Sequence, residues 1–185
     1  MSYYDDIYEY AADNYGLITS ADARRIGIPN VELVKLAHRG RLLRIGQGVY
    51  RAKHYIPTPL DKYAEAVALA GKDTYIFGES VLAMHNLAFV NPAAITVATM
   101  ARKRRKLPHG IVIITRQNME QIIHYEGIPS QSVFDAIITC RTSVMSDRLK
   151  EAVGEAFRKG LISEEEAINT RKEINDGSKN TEQQT

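Results

Sequence analysis

The residues equipped for chemistry are a serine at a strand-to-helix turn, five histidines, one cysteine and two clusters of cations. In Phe77-Gly78-Glu79-Ser80-Val81-Leu82 an apolar run turns into a helical one at Ser80, the setting of a hydrolase nucleophile. That elbow needs a second glycine where Leu82 stands, and an acid and a histidine placed later in the chain. The only acid between Ser80 and the last histidine, His124, is Glu120, four residues before it. Ser80 is therefore expected to cap a helix rather than attack a carbonyl. His38, His54, His85, His109 and His124 are never closer than fifteen positions, and Cys140 stands alone, so no pair has metal-ligand spacing. No G-x-x-x-x-G-K-[ST] loop is present to cradle nucleotide phosphates. No acid-x-Lys triplet of the metal-dependent nuclease kind is present either. The expectation is a protein without catalysis, cofactor or metal.

The cations carry more. The 185 residues, 44% hydrophobic and 25% charged, describe a soluble globular chain of one medium domain or two small ones. A lone cysteine excludes a disulfide framework, the acidic and aromatic start Met1–Asp6 is unlike a secretory signal, and no apolar run would span a bilayer. A cytoplasmic setting with no membrane partner is expected. The net charge of +2 hides a pattern, for residues 1–19, 20–56, 57–100, 101–118 and 119–185 carry −4, +6, −2, +6 and −4. Blocks of this kind suit a polyanionic partner.

The elements that would hold these cations follow from apolar spacing and breakers. Residues 3–14 read as a helix, ended by Tyr15-Gly16. Leu17-Ile18-Thr19 is a short extended piece, and Ser20 can cap a second helix to about Ile26. Pro29 separates it from a third, capped by Asn30 and running from Val31 to Arg39, with Leu33, Leu36 and Ala37 inward and Lys35, His38 and Arg39 outward. Leu42–Ile45 and Val49–Arg51 around a Gly46-Gln47-Gly48 turn read as a hairpin. This is the order of a winged helix-turn-helix, with the hairpin as wing. Ile56-Pro57-Thr58-Pro59 is a stiff linker. Beyond it, Leu60–Ala70 and Ser80–Asn86 read as helices. Thr74–Phe77, Ile95–Thr99, Ile111–Thr115 and Met119–Tyr125 read as strands, and after Ile128-Pro129 helical signals dominate through Ile174, interrupted near Gly160-Leu161-Ile162. The fold class expected is α+β: a winged helix-turn-helix over residues 1–56, a mixed α/β domain over 60–175, and a polar, disordered tail over 176–185.

A helix-turn-helix sets its second helix into the major groove while flanking cations hold phosphates. Asn30, Lys35 and His38 are placed to read bases. Ser20, Arg24, Arg25, Arg39, Arg41, Arg44, Gln47 and Arg51 would position the protein on double-stranded DNA. Neutralising about six phosphates gives a log–log salt slope near −5. The same face could instead serve protein contact alone. The second block, Arg102-Lys103-Arg104-Arg105-Lys106, falls between two expected strands. It reads equally as a solvated connection or as a docking surface for an acidic partner or nucleic acid.

Gly16-Leu17-Ile18-Thr19-Ser20-Ala21-Asp22-Ala23, then Gly27-Ile28, Leu36, Gly40, Leu42 and Gly48-Val49-Tyr50-Arg51, resemble the amino-terminal winged helix of AbiEi-type antitoxins. Gly78–Leu87 resembles the family's second motif, a helix rich in Ser, Ala and Leu ending in His85, with Asn86 in place of a glycine. Thr96-Val97 and the basic run resemble the next segment. Ile128-Pro129 to Asp135 resembles a strand-to-helix junction, with Asp135 on the family's usual acid. The junction departs from the pattern, since Ser132-Val133-Phe134 stand where Arg-Thr often precedes that acid. The likeness covers roughly residues 5–165 and is most specific in the wing.

It implies a repressor that binds inverted repeats in its own promoter, leaving open whether two copies pair on DNA. It also implies an antitoxin, through Arg102–Lys106 as a candidate surface, against a cognate nucleotidyltransferase toxin. In this type IV abortive-infection (phage defence) scheme the toxin is countered without a stable complex. Two other readings stay open. One is a nucleic-acid-cleaving abortive-infection enzyme; the other is an orphan transcription factor whose second domain senses a ligand or partner.

Overall fold

Thr19 and Asp22 start the second helix together. Thr19 Oγ1 accepts the Asp22 amide at 3.1 Å and the Asp22 carboxylate accepts the Thr19 amide at 3.0 Å, a complete capping box. The cap is thus Thr19, one residue before the expected Ser20. Both are hydroxyl residues, but only Thr19 has an acid three positions on. The computed structural model describes residues 3–103, 105–117 and 121–182, with side chains to Asn175. It forms two compact units, Met1–Lys72 and Asp73–Thr185.

The first unit runs α1 (Tyr3–Ala12), β1 (Leu17–Thr19), α2 (Ser20–Arg25), α3 (Asn30–His38), β2 (Leu42–Gly46), β3 (Val49–Ala52) and α4 (Asp61–Ala70). The strands form an antiparallel sheet in the order β1-β3-β2. Ile7, Ile18, Ile28, Leu33, Leu36, Leu42 and Tyr50 make the core beneath it. Asn30 is already helical; Pro29, at φ −63° and ψ 138°, is the cap and makes no side-chain cap bond. The proline ring holds the non-helical backbone of a cap residue but offers no hydrogen-bonding side chain. The wing turn is Gln47-Gly48, because Gly46 pairs with Val49 and belongs to β2.

The unit extends past the expected linker to Lys72. Three contacts explain why. Asp61 Oδ1 accepts from the Thr58 amide at 3.0 Å, the Thr58 hydroxyl at 2.6 Å and the Tyr55 hydroxyl at 3.2 Å. Arg51 of β3 donates to Glu65 of α4 at 2.7 Å. Leu69 of α4 lies against Gly46, where a Cβ would collide with it. The linker is a strap tied to the start of α4.

The second unit holds β4 (Thr74–Ile76), α5 (Glu79–Met84), β5 (Ile95–Thr99), β6 (Ile111–Thr115), β7 (Ile122–Tyr125) and β8 (Ile128–Gln131). They are followed by α6 (Val133–Thr139), α7 (Ser146–Arg158) and α8 (Glu164–Glu182). The sheet order is β6-β5-β4-β8-β7, parallel at β5–β6 and β4–β8 and antiparallel at β4–β5 and β7–β8. Met119 and Glu120, the expected start of β7, lie outside the described residues. β8 is the strand of the strand-to-helix junction that the resemblance implies at Ile128-Pro129, running on to Gln131 and joined to β7 by Glu126-Gly127 at φ 48° and 80°. Two successive positive φ angles are what a two-residue hairpin turn requires. α8 continues through the stretch expected to be a disordered tail as far as Glu182, and residues 183–185 lie outside the described ones. A helix closes its own backbone hydrogen bonds and needs no apolar anchor in each turn.

Candidate nucleic-acid interface

α3 buries Leu33 and Leu36 and turns the opposite side to solvent. The 3.6-residue period then places Asn30, Val31, Val34, Lys35 and His38 on one outward stripe. All five are exposed. Lys35 is paired to Glu32 at 2.8 Å, an exposed contact that a stronger anion can displace. Arg44 rises from β2 beside this stripe. With Val34, Ala37, His38 and Tyr50 it lines a shallow hollow of about 250 Å3 between α3 and the wing. Gln47 is exposed in the wing turn.

The other cations divide. Arg24 is exposed on α2 and donates to the Ser20 carbonyl at 3.1 Å. Ser20 itself is half-buried, its amide bonded to the Gly48 carbonyl at 2.8 Å, so it fastens α2 to the wing. Arg39 is exposed at the end of α3. Arg25 and Arg41 rest on tyrosines of α1, Arg25 donating to the Tyr10 hydroxyl at 2.7 Å and Arg41 to the Tyr4 hydroxyl at 3.2 Å. Burial above all, reinforced by Asp22 and opposed by Arg25, pushes the Tyr10 phenol up to about 12. It therefore stays a neutral acceptor for Arg25.

Arg51 is different. It is 26% exposed, is bound to Glu65, and keeps its Nε buried without a partner. The sequence placed it among phosphate contacts by its charge. The structure commits it inward, to holding α4 on the sheet.

In the second unit Arg102 and Lys106 are exposed, while Lys103 and Arg105 are half-buried and each engaged by a neighbouring group. Arg104 lies outside the described residues. The described residues of the run lie in the connection from β5 to β6, two strands that pair in parallel.

Ser80 is completely buried and its Oγ accepts the Thr96 amide at 2.8 Å. It is not the cap of α5 as expected. Gly78 is, at φ 59° and ψ −131°, a conformation that a side chain disfavours. The Gly78 amide is taken by Gln131 Oε1 at 3.1 Å, and Gln131 Nε2 donates to Thr139 at 2.9 Å. Cys140 is buried, and burial together with Glu79 pushes its thiol up to about 12. A thiol so held is a poor nucleophile at neutral pH. Among the described residues no three His, Cys, Asp or Glu side chains gather as a metal site, and no helix is long and apolar enough to cross a membrane. Asp135 of the motif junction is a capping partner. Its amide donates to Ser132 Oγ at 3.1 Å and its carboxylate accepts the Ser132 hydroxyl at 2.7 Å. Ser132 thus occupies the cap of α6, within the stretch that departs from the resembled pattern.

Sequence reasoning missed the two exposed valines, Val31 at 53% and Val34 at 43%. The signal was present, since the spacing that turns Leu33 and Leu36 inward fixes positions 31 and 34 outward.

The family model described as "Transcriptional regulator, AbiEi antitoxin" matches residues 5–53. That segment runs from α1 to just past the wing and contains the whole outward stripe of α3. The resemblance to AbiEi-type antitoxins is borne out there. None of the curated proteins compared matches the chain.

Proposed function

We propose that the chain is a DNA-binding autorepressor and antitoxin of a type IV, abortive-infection toxin–antitoxin system. Residues 1–72 hold inverted repeats in its own promoter. Residues 73–185 counter a nucleotidyltransferase toxin without a lasting complex, and the chain works in the cytoplasm without a catalytic step of its own. The observation that carries this reading is the outward face of α3, fringed by Arg24, Arg39 and Arg44, inside the segment matched by a model of antitoxin regulators.

Its first test is the salt dependence of promoter binding. Six outward cations (Arg24, Arg25, Lys35, Arg39, Arg41 and Arg44) give a log–log slope near −5, at about 0.9 per phosphate. Arg44→Ala should flatten that slope by about one, as loss of one phosphate contact does. Arg51→Ala should leave the slope unchanged and lower only the melting temperature of the first unit. A salt-independent affinity in the parent chain would sink the DNA reading.

The second test separates the activities. With Arg102 and Lys106 both changed to alanine, promoter affinity should stay within about twofold, because these residues lie in the other unit. Rescue of growth against the co-expressed toxin should fall. Equal loss of both activities, with an unchanged melting curve, would overturn the division of labour.

A further inference from the structure

The valines of α3 set a problem that DNA binding in general does not solve. Val31 is 53% and Val34 is 43% exposed, on the outward face of the helix that also carries Asn30, Lys35 and His38. The two lie one turn apart. Val34 also forms a wall of the hollow shared with His38, Arg44 and Tyr50. Cations fit phosphates, but branched aliphatic side chains gain nothing from a phosphate. They gain by being covered with another apolar group.

In the major groove the one apolar group on a base edge is the thymine C5-methyl, and the partner adenine presents the donor–acceptor pair that an Asn amide matches. Asn30, beside Val31 in the first turn of α3, is where a recognition helix meets base edges. We propose that Val31 and Val34 are specificity residues that cover thymine methyl groups, with Asn30 reading adenine, so each half-site presents A·T pairs to the first turns of α3. This rests on the DNA-binding reading of the same face and adds to it the bases that the face selects.

The charges fit this occupant. Arg24 on α2, Lys35 on α3, Arg39 at its C-terminal cap and Arg44 on β2 are all exposed, and cations around an apolar stripe suit backbone phosphates flanking base edges. A protein partner docking on the valines would need acidic groups around an apolar centre. Duplex DNA supplies the anions along its whole length, with methyl groups between them.

The test uses the full chain and the duplex immediately upstream of its reading frame, made once with thymine and once with deoxyuridine at every thymine. The two differ only in the methyl groups. Fluorescence anisotropy at one salt concentration should show the deoxyuridine duplex bound about fourfold more weakly for each methyl covered, the worth of one buried carbon. The Val31→Ala, Val34→Ala double variant should bind both duplexes alike, at about the affinity of the parent for deoxyuridine DNA. Its exposed positions should leave the melting curve in place, and Val34→Ser serves as a second variant with the same expectation for one methyl. A parent chain that binds both duplexes tightly and equally would overturn the methyl reading while keeping DNA binding. A parent chain that binds neither duplex would overturn both.

Discussion

A fragment ending at residue 56 should show no cooperative unfolding transition at room temperature, whereas one ending at Lys72 should keep it. The shorter piece holds every helix and strand of the winged helix, yet it cuts away what satisfies β2 and β3. Arg51 would lose both Glu65 and the cover that α4 gives it, so the ion pair disappears and the guanidinium turns to water. A partly exposed pair of this kind contributes about 1 kcal/mol. Leu69, 4% exposed and lying against Gly46, would be lost too. A fully buried leucine is worth about 2–3 kcal/mol. Together these approach the whole stability of a domain this small, at the low end of about 5–15 kcal/mol. Far-UV circular dichroism through a thermal melt decides the matter. A 1–56 fragment melting within a few degrees of 1–72 would show that α4 is an appendage. The practical consequence is that truncations meant to separate the two units must cut after Lys72.

That boundary shows where sequence reasoning ends. The order of helices and hairpin in the first unit was readable because its signals are local: helical spacing of Leu33 and Leu36, Pro29 before a helix, glycines at the wing. Whether Arg51 faces out depended on Glu65, fourteen residues away beyond two prolines, and charge counting registers sign, not direction. The shift from Ser20 to Thr19 was readable in principle, since Asp22 stands three residues after Thr19. In the second unit β4, β5 and β6 announced themselves by runs of Ile, Val and Thr. β8 did not do so by composition, because Pro129 is a poor strand former, and only the resembled strand-to-helix junction pointed to it. Gln131 is buried for its two hydrogen bonds to Gly78 and Thr139, a role that no hydropathy pattern displays. The same gap hid the state of His85, which the sequence marked only as the end of a resembled motif.

His85 should make the second unit acid-sensitive. It ends α5 with 5% of its surface exposed, its ring 4.1 Å from that of Tyr125 on β7, and its Nε2 without a hydrogen-bond partner. Lys159 donates to its backbone carbonyl at 3.1 Å, bringing a positive charge close. Burial first and the Lys159 charge second lower the imidazole from 6.5 to about 4. The folded chain therefore holds this residue neutral where the unfolded chain protonates it. Stability is complete above the unfolded value near 6.5, falls as pH drops from there toward 4, and levels off below. At about 1.4 kcal/mol for each pH unit between the two values, the loss over that window is about 3 kcal/mol. His85→Phe keeps a ring against Tyr125 and removes the titrating group. An unpartnered nitrogen gives up no hydrogen bond on replacement, so the variant should be near parental stability at pH 7.5. Urea unfolding at pH 7.5, 6.0 and 4.5 should show the two proteins diverging, the parent losing most of those 3 kcal/mol relative to the variant by pH 4.5. Carboxylates elsewhere weaken both equally, so the difference isolates His85. Parallel decline of the two would mean that the imidazole titrates normally, and that the packing around Tyr125 and Lys159 does not hold it neutral.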